Sequence, residues 1–393
     1  MKANHRVRAA LSVLVAGSLS LAGVGTASAA QGASAVDVAT RDVGDELDQV
    51  LSDLVDDGAV AVTARVDTPN LSWAGADGVR DLGSSVPART KDQFRVGSIT
   101  KPMIATLVMQ EIEKGTWTLD TSVEDVLPGA LPRDVTIEQL LSHTSGAPTA
   151  TEYLLHDHMD DPDDVDQFIA ALGEHYSEGD HVRAAHTEPW VLEPGTGYSY
   201  SNAGFVTLGM MLEKVTGRDL DDLLEERVFE PAGMRHSDYP ERPGPRGPFL
   251  SDVAYTGAEG DGWYSIKHQD PSAFRAAGAV TGTTADLSAF TEALVTGELV
   301  DPATVINMLT PRSPDNGANE YGLGIYRVPD PCVPGEYLYG HDGATYGTVS
   351  VAMTSLDGER RVSLGVTGRN ISDDPEALYN LDDLLTPLFE ASC

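Results

Sequence analysis

Basic residues are scarce in this sequence. Its 393 residues include 26 lysines and arginines, only six of them lysines, against 61 aspartates and glutamates, which gives a net charge of −35. A long-range field this negative repels phosphate backbones and anionic lipids. The composition therefore argues strongly against nucleic-acid binding.

Long apolar runs are absent after the first thirty residues, where no stretch approaches the roughly 18 consecutive apolar residues of a membrane-spanning helix. The first thirty residues themselves have the pattern of an export signal. Three basic residues precede an apolar stretch over 9–24, and Ala27-Ser28-Ala29 supplies the small residues of a cleavage site. We predict a signal peptide over residues 1–29, a secreted mature protein and no stable membrane anchor.

Cysteine is nearly absent, since the chain has only Cys332 and Cys393. Two cysteines in an oxidising compartment usually pair. A bridge between them would close a loop of about 60 residues and contribute about 4 kcal/mol in the chain-entropy model. We predict this disulfide, with two free thiols as the alternative.

Internal repeats with periods of roughly 20 to 50 residues are also absent, which excludes solenoids and propellers. The length exceeds what a single core usually supports. Strand patterns lie near the two ends of the chain, and helical spacing dominates between them. We predict an α/β domain formed by residues 37–115 and 278–393, interrupted by an all-helical domain over 116–277, with a cleft at the junction.

The first candidate motif is Ser98-Ile99-Thr100-Lys101, at the start of a helix predicted over residues 98–114. A spacing of three residues places Ser98 and Lys101 on one helix face, within hydrogen-bond reach. A buried lysine with a lowered pKa could take the serine proton, and the backbone N–H of Ser98 could stabilise an oxyanion. The bare pattern is weak evidence, because it also arises by chance.

The second motif is Tyr200-Ser201-Asn202. Tyr200 could shuttle a proton between Ser98 and a leaving group, and Asn202 could hold either the substrate amide or the Lys101 side chain. The alternative is a buried tyrosine followed by an asparagine that caps the next helix.

The third motif is His341-Asp342-Gly343, between strands predicted over 335–339 and 345–354. We expect an edge strand beside the cleft to present His341 as a positive or hydrogen-bonding side chain. The backbone N–H of Ala344 could be a second oxyanion donor, with Gly343 permitting close approach of the substrate.

Together these motifs resemble those of the penicillin-recognising serine hydrolases related to class C β-lactamases, and specifically the soluble secreted D-alanyl-D-alanine carboxypeptidases. The likeness extends over about residues 40 to 393 and includes the blocks FRVGSITK, LLSHTSG, PGTGYSYSNAGF, AAGAVTGTTADL and YGLG. It implies an antiparallel sheet flanked by helices and built from both ends of the chain, with an inserted helical domain. It also implies a peptidoglycan-type or other D-amino-acid peptide substrate, β-lactams as covalent inhibitors, no cofactor, and a Cys332–Cys393 disulfide.

The resemblance also implies a role for each motif residue. Ser98 is the acylated nucleophile, and Lys101 and Tyr200 form the proton-transfer pair. The residues on the substrate side would be Asn202, His341 and Gly343, with the N–H groups of Ser98 and Ala344 forming the oxyanion hole.

The sequence departs from the carboxypeptidase pattern at the position of the arginine that binds the terminal carboxylate of the substrate. Tyr326 stands there, followed by Arg327, and either Arg327 or Arg275 would have to replace that cation. Asp342 and Ala344 also stand where the family has hydroxyl residues. These differences leave D-aminopeptidase, D-peptide endopeptidase, esterase or β-lactamase activity open, together with a non-enzymatic β-lactam or peptidoglycan sensor.

A run of histidines and aspartates over residues 156–164 suggests a metal site at first sight. We interpret it as a solvated acidic surface, because the chain is strongly acidic and a serine mechanism needs no metal.

Overall fold

A computed structural model of the chain describes residues 33–162, 164–244, 247–257, 262–313, 320–372, 374 and 378–393. The predicted signal peptide over residues 1–29 lies outside these residues. No helix in the described part of the chain combines the length and apolarity needed to cross a membrane.

The strands and helices of the described residues are numbered here in chain order. The strands are β1 (Ala61–Asp67), β2 (Ser72–Gly78), β3 (Phe94–Arg95), β4 (Val253–Tyr255), β5 (Trp263–Ser265), β6 (Thr281–Gly282), β7 (Glu320–Tyr321), β8 (Tyr326–Pro329), β9 (Tyr337–Ala344), β10 (Thr348–Ser355), β11 (Arg361–Thr367) and β12 (Arg369–Asn370). The α-helices are α1 (Ala33–Asp56), α2 (Thr100–Glu113), α3 (Val123–Val126), α4 (Ile137–Leu141), α5 (Thr151–His156), α6 (Val165–Leu172), α7 (Glu178–Thr187), α8 (Asn202–Thr216), α9 (Leu220–Leu224), α10 (Glu230–Ala232), α11 (Thr284–Val295), α12 (Pro302–Leu309) and α13 (Asp382–Ala391).

A seven-stranded antiparallel sheet forms the centre of the fold, in the order β2-β1-β11-β10-β9-β8-β7. Its strands come from residues 61–78 and 320–367, so the two ends of the chain build one sheet. The predicted antiparallel sheet with flanking helices is confirmed.

Each face of the sheet is covered by helices from a different part of the chain. On one face, Leu51 of α1 and Leu384 of α13 join Val62 and Leu364 of the sheet in a single apolar cluster. On the other face α11 packs against β10 and β11. Because successive side chains of a strand point to opposite faces, the strands present apolar side chains to the helices on both sides of the sheet.

The sequence predicted an all-helical insertion over residues 116–277, but this segment also contains strands. Strands β4 and β5 lie within residues 116–277 and form a three-stranded sheet with β12. A strand of three residues is too short for its alternation of apolar and polar side chains to be recognised in the sequence. In addition, β12 pairs with β4 from more than a hundred residues away. The proposed domain boundaries stay a prediction.

Cys332 and Cys393 form the predicted disulfide. The bridge ties Cys393, two residues beyond α13, to the segment between β8 and β9. The C-terminal helix is therefore fixed to the sheet by a covalent bond as well as by its apolar face.

Candidate active site

Ser98 lies on a single 3-10 turn, Gly97–Ile99, that leads directly into α2. Gly97 has a φ of +54°, a conformation that glycine adopts without strain. A β-carbon at this position would lie 2.6 Å from the backbone nitrogen of Ala344. The turn therefore rests against the backbone of β9, and Ser98 stays partly exposed between two buried neighbours.

Lys101 is fully buried on the first turn of α2, with an exposed fraction of 0%. Its Nζ lies 2.9 Å from Ser98 Oγ, 2.8 Å from Asn202 Oδ1 and 2.8 Å from the carbonyl oxygen of Ala277. The last two partners are acceptors, which take both N–H groups of a neutral amine. The lone pair of that amine is then left for the hydroxyl proton of Ser98.

The electrostatics of Lys101 agree with this hydrogen-bond pattern. Burial lowers the pKa of the Lys101 amine well below its ordinary value, and the nearby carboxylate of Asp342 only partly opposes the shift. An uncharged lysine in contact with a serine hydroxyl can act as its general base.

Tyr200 lies on the loop before α8, with its ring centroid 4.7 Å from Lys101 Nζ. Burial raises the pKa of the Tyr200 phenol well above its ordinary value, although a hydrogen bond with Ser98 works in the opposite direction. Tyr200 is therefore protonated at neutral pH. It can pass a proton on, whereas Lys101 is the group able to accept the first one.

Asn202 is the first residue of α8, and both ends of its side-chain amide are occupied within the protein. Its Oδ1 accepts from Lys101, and its Nδ2 donates to Thr151 Oγ1 over 3.1 Å. Of the two roles that the sequence left open, the structure shows the contact with Lys101. The residue that caps α8 is Ser201, whose Oγ accepts from the N–H of Gly204.

The His341-Asp342-Gly343 motif lies inside β9, so both the loop position and the edge strand expected from the sequence are wrong. Strand β9 pairs with β8 on one side and β10 on the other. Because β8 begins at Tyr326, opposite Gly340, the last residues of β9 extend beyond it and leave that flank open beside Ser98. The glycines of this segment weaken its strand signal in the sequence.

His341 does not supply a positive charge. Its ring is 2% exposed, and its Nε2 is 2.9 Å from the hydroxyl of Tyr321. Burial lowers the pKa of His341 to about 3, so the ring is neutral in ordinary buffers. Of the two expected roles, only hydrogen bonding fits, and the structure shows it with Tyr321.

Asp342 and Ala344 project from the same strand and are both partly exposed. The Asp342 side chain is 24% exposed, and burial raises its pKa to about 6 despite a hydrogen bond from Tyr326 and the charge of Arg369. A carboxylate that is ionised at neutral pH therefore lies within electrostatic reach of Lys101.

Neither of the two candidate cations is free to bind a carboxylate. Arg327 forms an ion pair with Glu320 and stacks on Tyr337, with 3.8 Å between its Cζ and the ring centroid. Arg275 lies 3.2 Å from a carboxylate oxygen of Glu178. Tyr326 is buried in the apolar cluster that lies against α1 and α13.

The His and Asp run at residues 156–164 begins at the last residue of α5, and residue 163 lies outside the described part of the chain. His158 contacts the carbonyl oxygen of Leu154 through Nδ1 at 3.1 Å and packs edge-on against Tyr176. Within the residues that the structure describes, no three His, Cys, Asp or Glu side chains converge in a way that could hold a metal ion.

Four groups around the site were not singled out as functional from the sequence. They are Thr151, which holds Asn202, the carbonyl of Ala277, which holds Lys101, and the aromatic neighbours Tyr321 and His143. His143, Ala277 and Tyr321 lie within three of the blocks that carried the family resemblance, which was the available signal. Their contacts depend on residues 50 to 180 positions away, as in the pairing of Lys101 with Ala277.

Comparison with known proteins agrees with this geometry. The family model described as Beta-lactamase matches residues 47–374. This chain belongs to that family. It therefore has the fold of the β-lactamase and penicillin-binding protein family of serine hydrolases.

The relatives of this chain carry names that describe different activities. The chain is 36% identical to penicillin-binding protein 4 of Amycolatopsis lactamdurans over 168 residues, which is 41% of this chain and 40% of the relative. It is 33% identical to esterase EstB of Burkholderia gladioli over 202 residues, 47% and 48% of the two chains. These matches span less than half the length of either relative.

Several solved structures match over nearly their whole length. A D-stereospecific amidohydrolase from Streptomyces sp. superposes with a TM-score of 0.75 at 27% sequence identity, covering 87% of this chain and 97% of the other. The fold is thus shared with proteins named for penicillin binding, ester cleavage and D-stereospecific amide hydrolysis.

Proposed function

We propose that this protein hydrolyses amides or esters through an acyl-enzyme formed on Ser98. The observation that carries the proposal is the environment of Lys101, whose Nζ lies 2.9 Å from Ser98 Oγ. Two acceptors, Asn202 Oδ1 and the carbonyl oxygen of Ala277, take both N–H groups of the neutral amine, so its lone pair is available to the Ser98 hydroxyl. Burial of the amine supplies the low pKa that a neutral general base requires.

In the proposed reaction the Ser98 hydroxyl gives its proton to Lys101 while Oγ attacks the substrate carbonyl. The backbone N–H groups of Ser98 and Ala344 stabilise the negative charge on the carbonyl oxygen. The proton then passes through Tyr200 to the leaving amine or alkoxide as the carbonyl–leaving-group bond breaks. Water then attacks the resulting serine ester with Lys101 as base, and the proton returns to Ser98 Oγ as the acid is released.

We propose that the preferred substrate carries no free C-terminal carboxylate. A carboxylate ligand would face Asp342 without an available arginine, because Arg327 is paired with Glu320 and Arg275 with Glu178. A substrate with an ammonium group, such as a D-amino-acid amide, would instead find an opposite charge in Asp342. The similarity to a D-stereospecific amidohydrolase supports this class of substrate.

D-alanyl-D-alanine carboxypeptidase is the second candidate. The sequence blocks favour it, and the Cys332–Cys393 bridge lies where those enzymes carry a disulfide. This activity requires a cation that Arg327 could supply only by giving up its contact with Glu320. Export through the signal peptide over residues 1–29 fits both candidates and belongs to the same proposal.

The test combines mass spectrometry with kinetics. Incubation with a penicillin should add its mass to the intact protein, and Ser98→Ala should abolish both this adduct and hydrolysis. An adduct that persists in Ser98→Ala would disprove the assignment of the nucleophile. Among substrates, D-alanine amide should be cleaved with a higher kcat/KM than a peptide ending in free D-Ala-D-Ala. A preference for the free acid by more than about a hundredfold would establish the carboxypeptidase instead.

A further inference from the structure

His143 has an unusual backbone conformation for its residue type. It follows the C-terminal end of α4 with a φ of +56°, in the left-handed region. Glycine and asparagine are the residues that normally end a helix in this way, because a β-carbon is strained there. A histidine at such a position suggests that its side chain is needed.

The side chain and backbone of His143 hold the residues on both sides of Tyr200. The N–H of Ser199 donates to the carbonyl oxygen of His143 over 2.8 Å, and the N–H of Ser201 donates to His143 Nδ1 over 3.2 Å. Between these two bonds the His143 ring lies against the ring of Tyr200, with centroids 4.2 Å apart. Tyr200 is thus held from the preceding residue, the following residue and one ring face.

This arrangement requires an uncharged His143 with its proton on Nε2, because Nδ1 can accept from Ser201 only when it carries no proton. The ring is 0% exposed, and its Nε2 has no hydrogen-bond partner. Burial lowers the pKa of His143 well below its ordinary value. The aromatic rings packed around it are those of Tyr198, Tyr200, Phe205 and Tyr321.

We propose that His143 is a positioning residue that fixes the Tyr200 phenol for proton transfer. The inference rests on the role proposed above for Tyr200. The positive φ of His143 and its unpaired Nε2 both destabilise the folded protein. We attribute both features to the function of His143 in fixing the position of Tyr200. The clamp formed by His143 on residues 199–201 keeps the phenol next to Ser98 and Lys101 without itself exchanging protons.

Two variants separate the parts of this clamp. His143→Phe keeps a ring against Tyr200 but removes the acceptor for Ser201. His143→Asn keeps an acceptor near the position of Nδ1 and tolerates a positive φ, but removes the ring. We expect His143→Phe to lower kcat by about a hundredfold with little change in KM, and His143→Asn to recover part of that loss. The exposed His186, changed to asparagine, is the control and should leave kcat unchanged.

A double-mutant comparison tests whether His143 acts through Tyr200. In a Tyr200→Phe background, adding His143→Phe should cost less than about threefold. A full hundredfold loss in that background would overturn the proposal, as would an unchanged kcat in both single variants.

Crystal structures of the variants separate this inference from the proposed function. The Tyr200 hydroxyl should be displaced by more than about 1 Å in His143→Phe and by less in His143→Asn. An unmoved hydroxyl in both would disprove the clamp whatever the activity. A wild-type protein that forms no Ser98 adduct would instead disprove the proposed function. If His143→Phe does not fold, the position of the Tyr200 hydroxyl in His143→Asn tests the clamp, and an unmoved hydroxyl in that variant would disprove it.

Discussion

Gly343 of β9 packs directly against the backbone of Val96, with no room for a side chain between them. A β-carbon on Gly343 would overlap the Val96 carbonyl oxygen and lie 3.1 Å from the Ser98 nitrogen. We therefore expect Gly343→Ala to push β9 away from the nucleophile turn and separate the two oxyanion donors. Acylation by a penicillin should slow by about a hundredfold, as measured by stopped-flow or timed mass spectrometry.

The same substitution should lower the free energy of unfolding by about 1 to 3 kcal/mol in urea titrations, which is the usual cost of overpacking. Gly179→Ala in α7 is the matched control, since a β-carbon there meets nothing closer than 3.6 Å. It should be neutral or stabilise by up to about 1 kcal/mol, and leave acylation unchanged. Equal acylation rates in Gly343→Ala and wild type would show that β9 does not position the oxyanion donors.

Lys101 and Tyr200 should behave as one proton-transfer unit. Lys101→Ala and Tyr200→Phe should each lower kcat by about 100- to 10,000-fold while the fold is retained, because each removes a proton-transfer group from the Ser98 site. The double variant should be little worse than the poorer single variant. Steady-state kinetics on an amide substrate measure this, with circular dichroism as the control for folding. Strictly additive losses would mean that the two residues act in separate steps.

Asp342 should make the selectivity for cationic substrates depend on pH. Its pKa is raised to about 6, so it is neutral below that pH and ionised above it. The ratio of kcat/KM for D-alanine amide to that for N-acetyl-D-alanine amide should rise between about pH 5 and 7, by roughly tenfold if the charged contact contributes ~1.5 kcal/mol. Asp342→Asn should make the ratio independent of pH over this range. A ratio that stays flat in the wild type would contradict the ammonium assignment.

The Cys332–Cys393 bridge should support stability more than chemistry. Reduction, or the paired replacement of both cysteines by serine, should lower the melting temperature, because the bridge restricts a loop of about 60 residues and stabilises by up to about 4 kcal/mol. Ser98 should still be acylated by a penicillin below the new melting temperature. Calorimetry and intact-mass analysis measure the two effects, and loss of acylation in a folded, reduced protein would contradict this separation.

The sequence alone determined what depends on neighbouring residues. The Ser98–Lys101 spacing sets both side chains on one helical turn, and their 2.9 Å contact follows from that local geometry. Strand patterns near the two ends of the chain predicted strands in the regions where β1, β2 and β11 lie. The likeness of the motif blocks then predicted the antiparallel sheet flanked by helices.

Tertiary structure decided the charge state of each active-site side chain and the identity of its hydrogen-bond partners. Burial makes Lys101 a base and His341 a neutral hydrogen-bonding residue, and burial results from the packing of segments that are far apart in the chain. The clamp on Tyr200 by His143 joins residues more than fifty positions apart. Local sequence patterns carry information about backbone conformation, whereas solvation and long-range contacts exist only once the chain has folded.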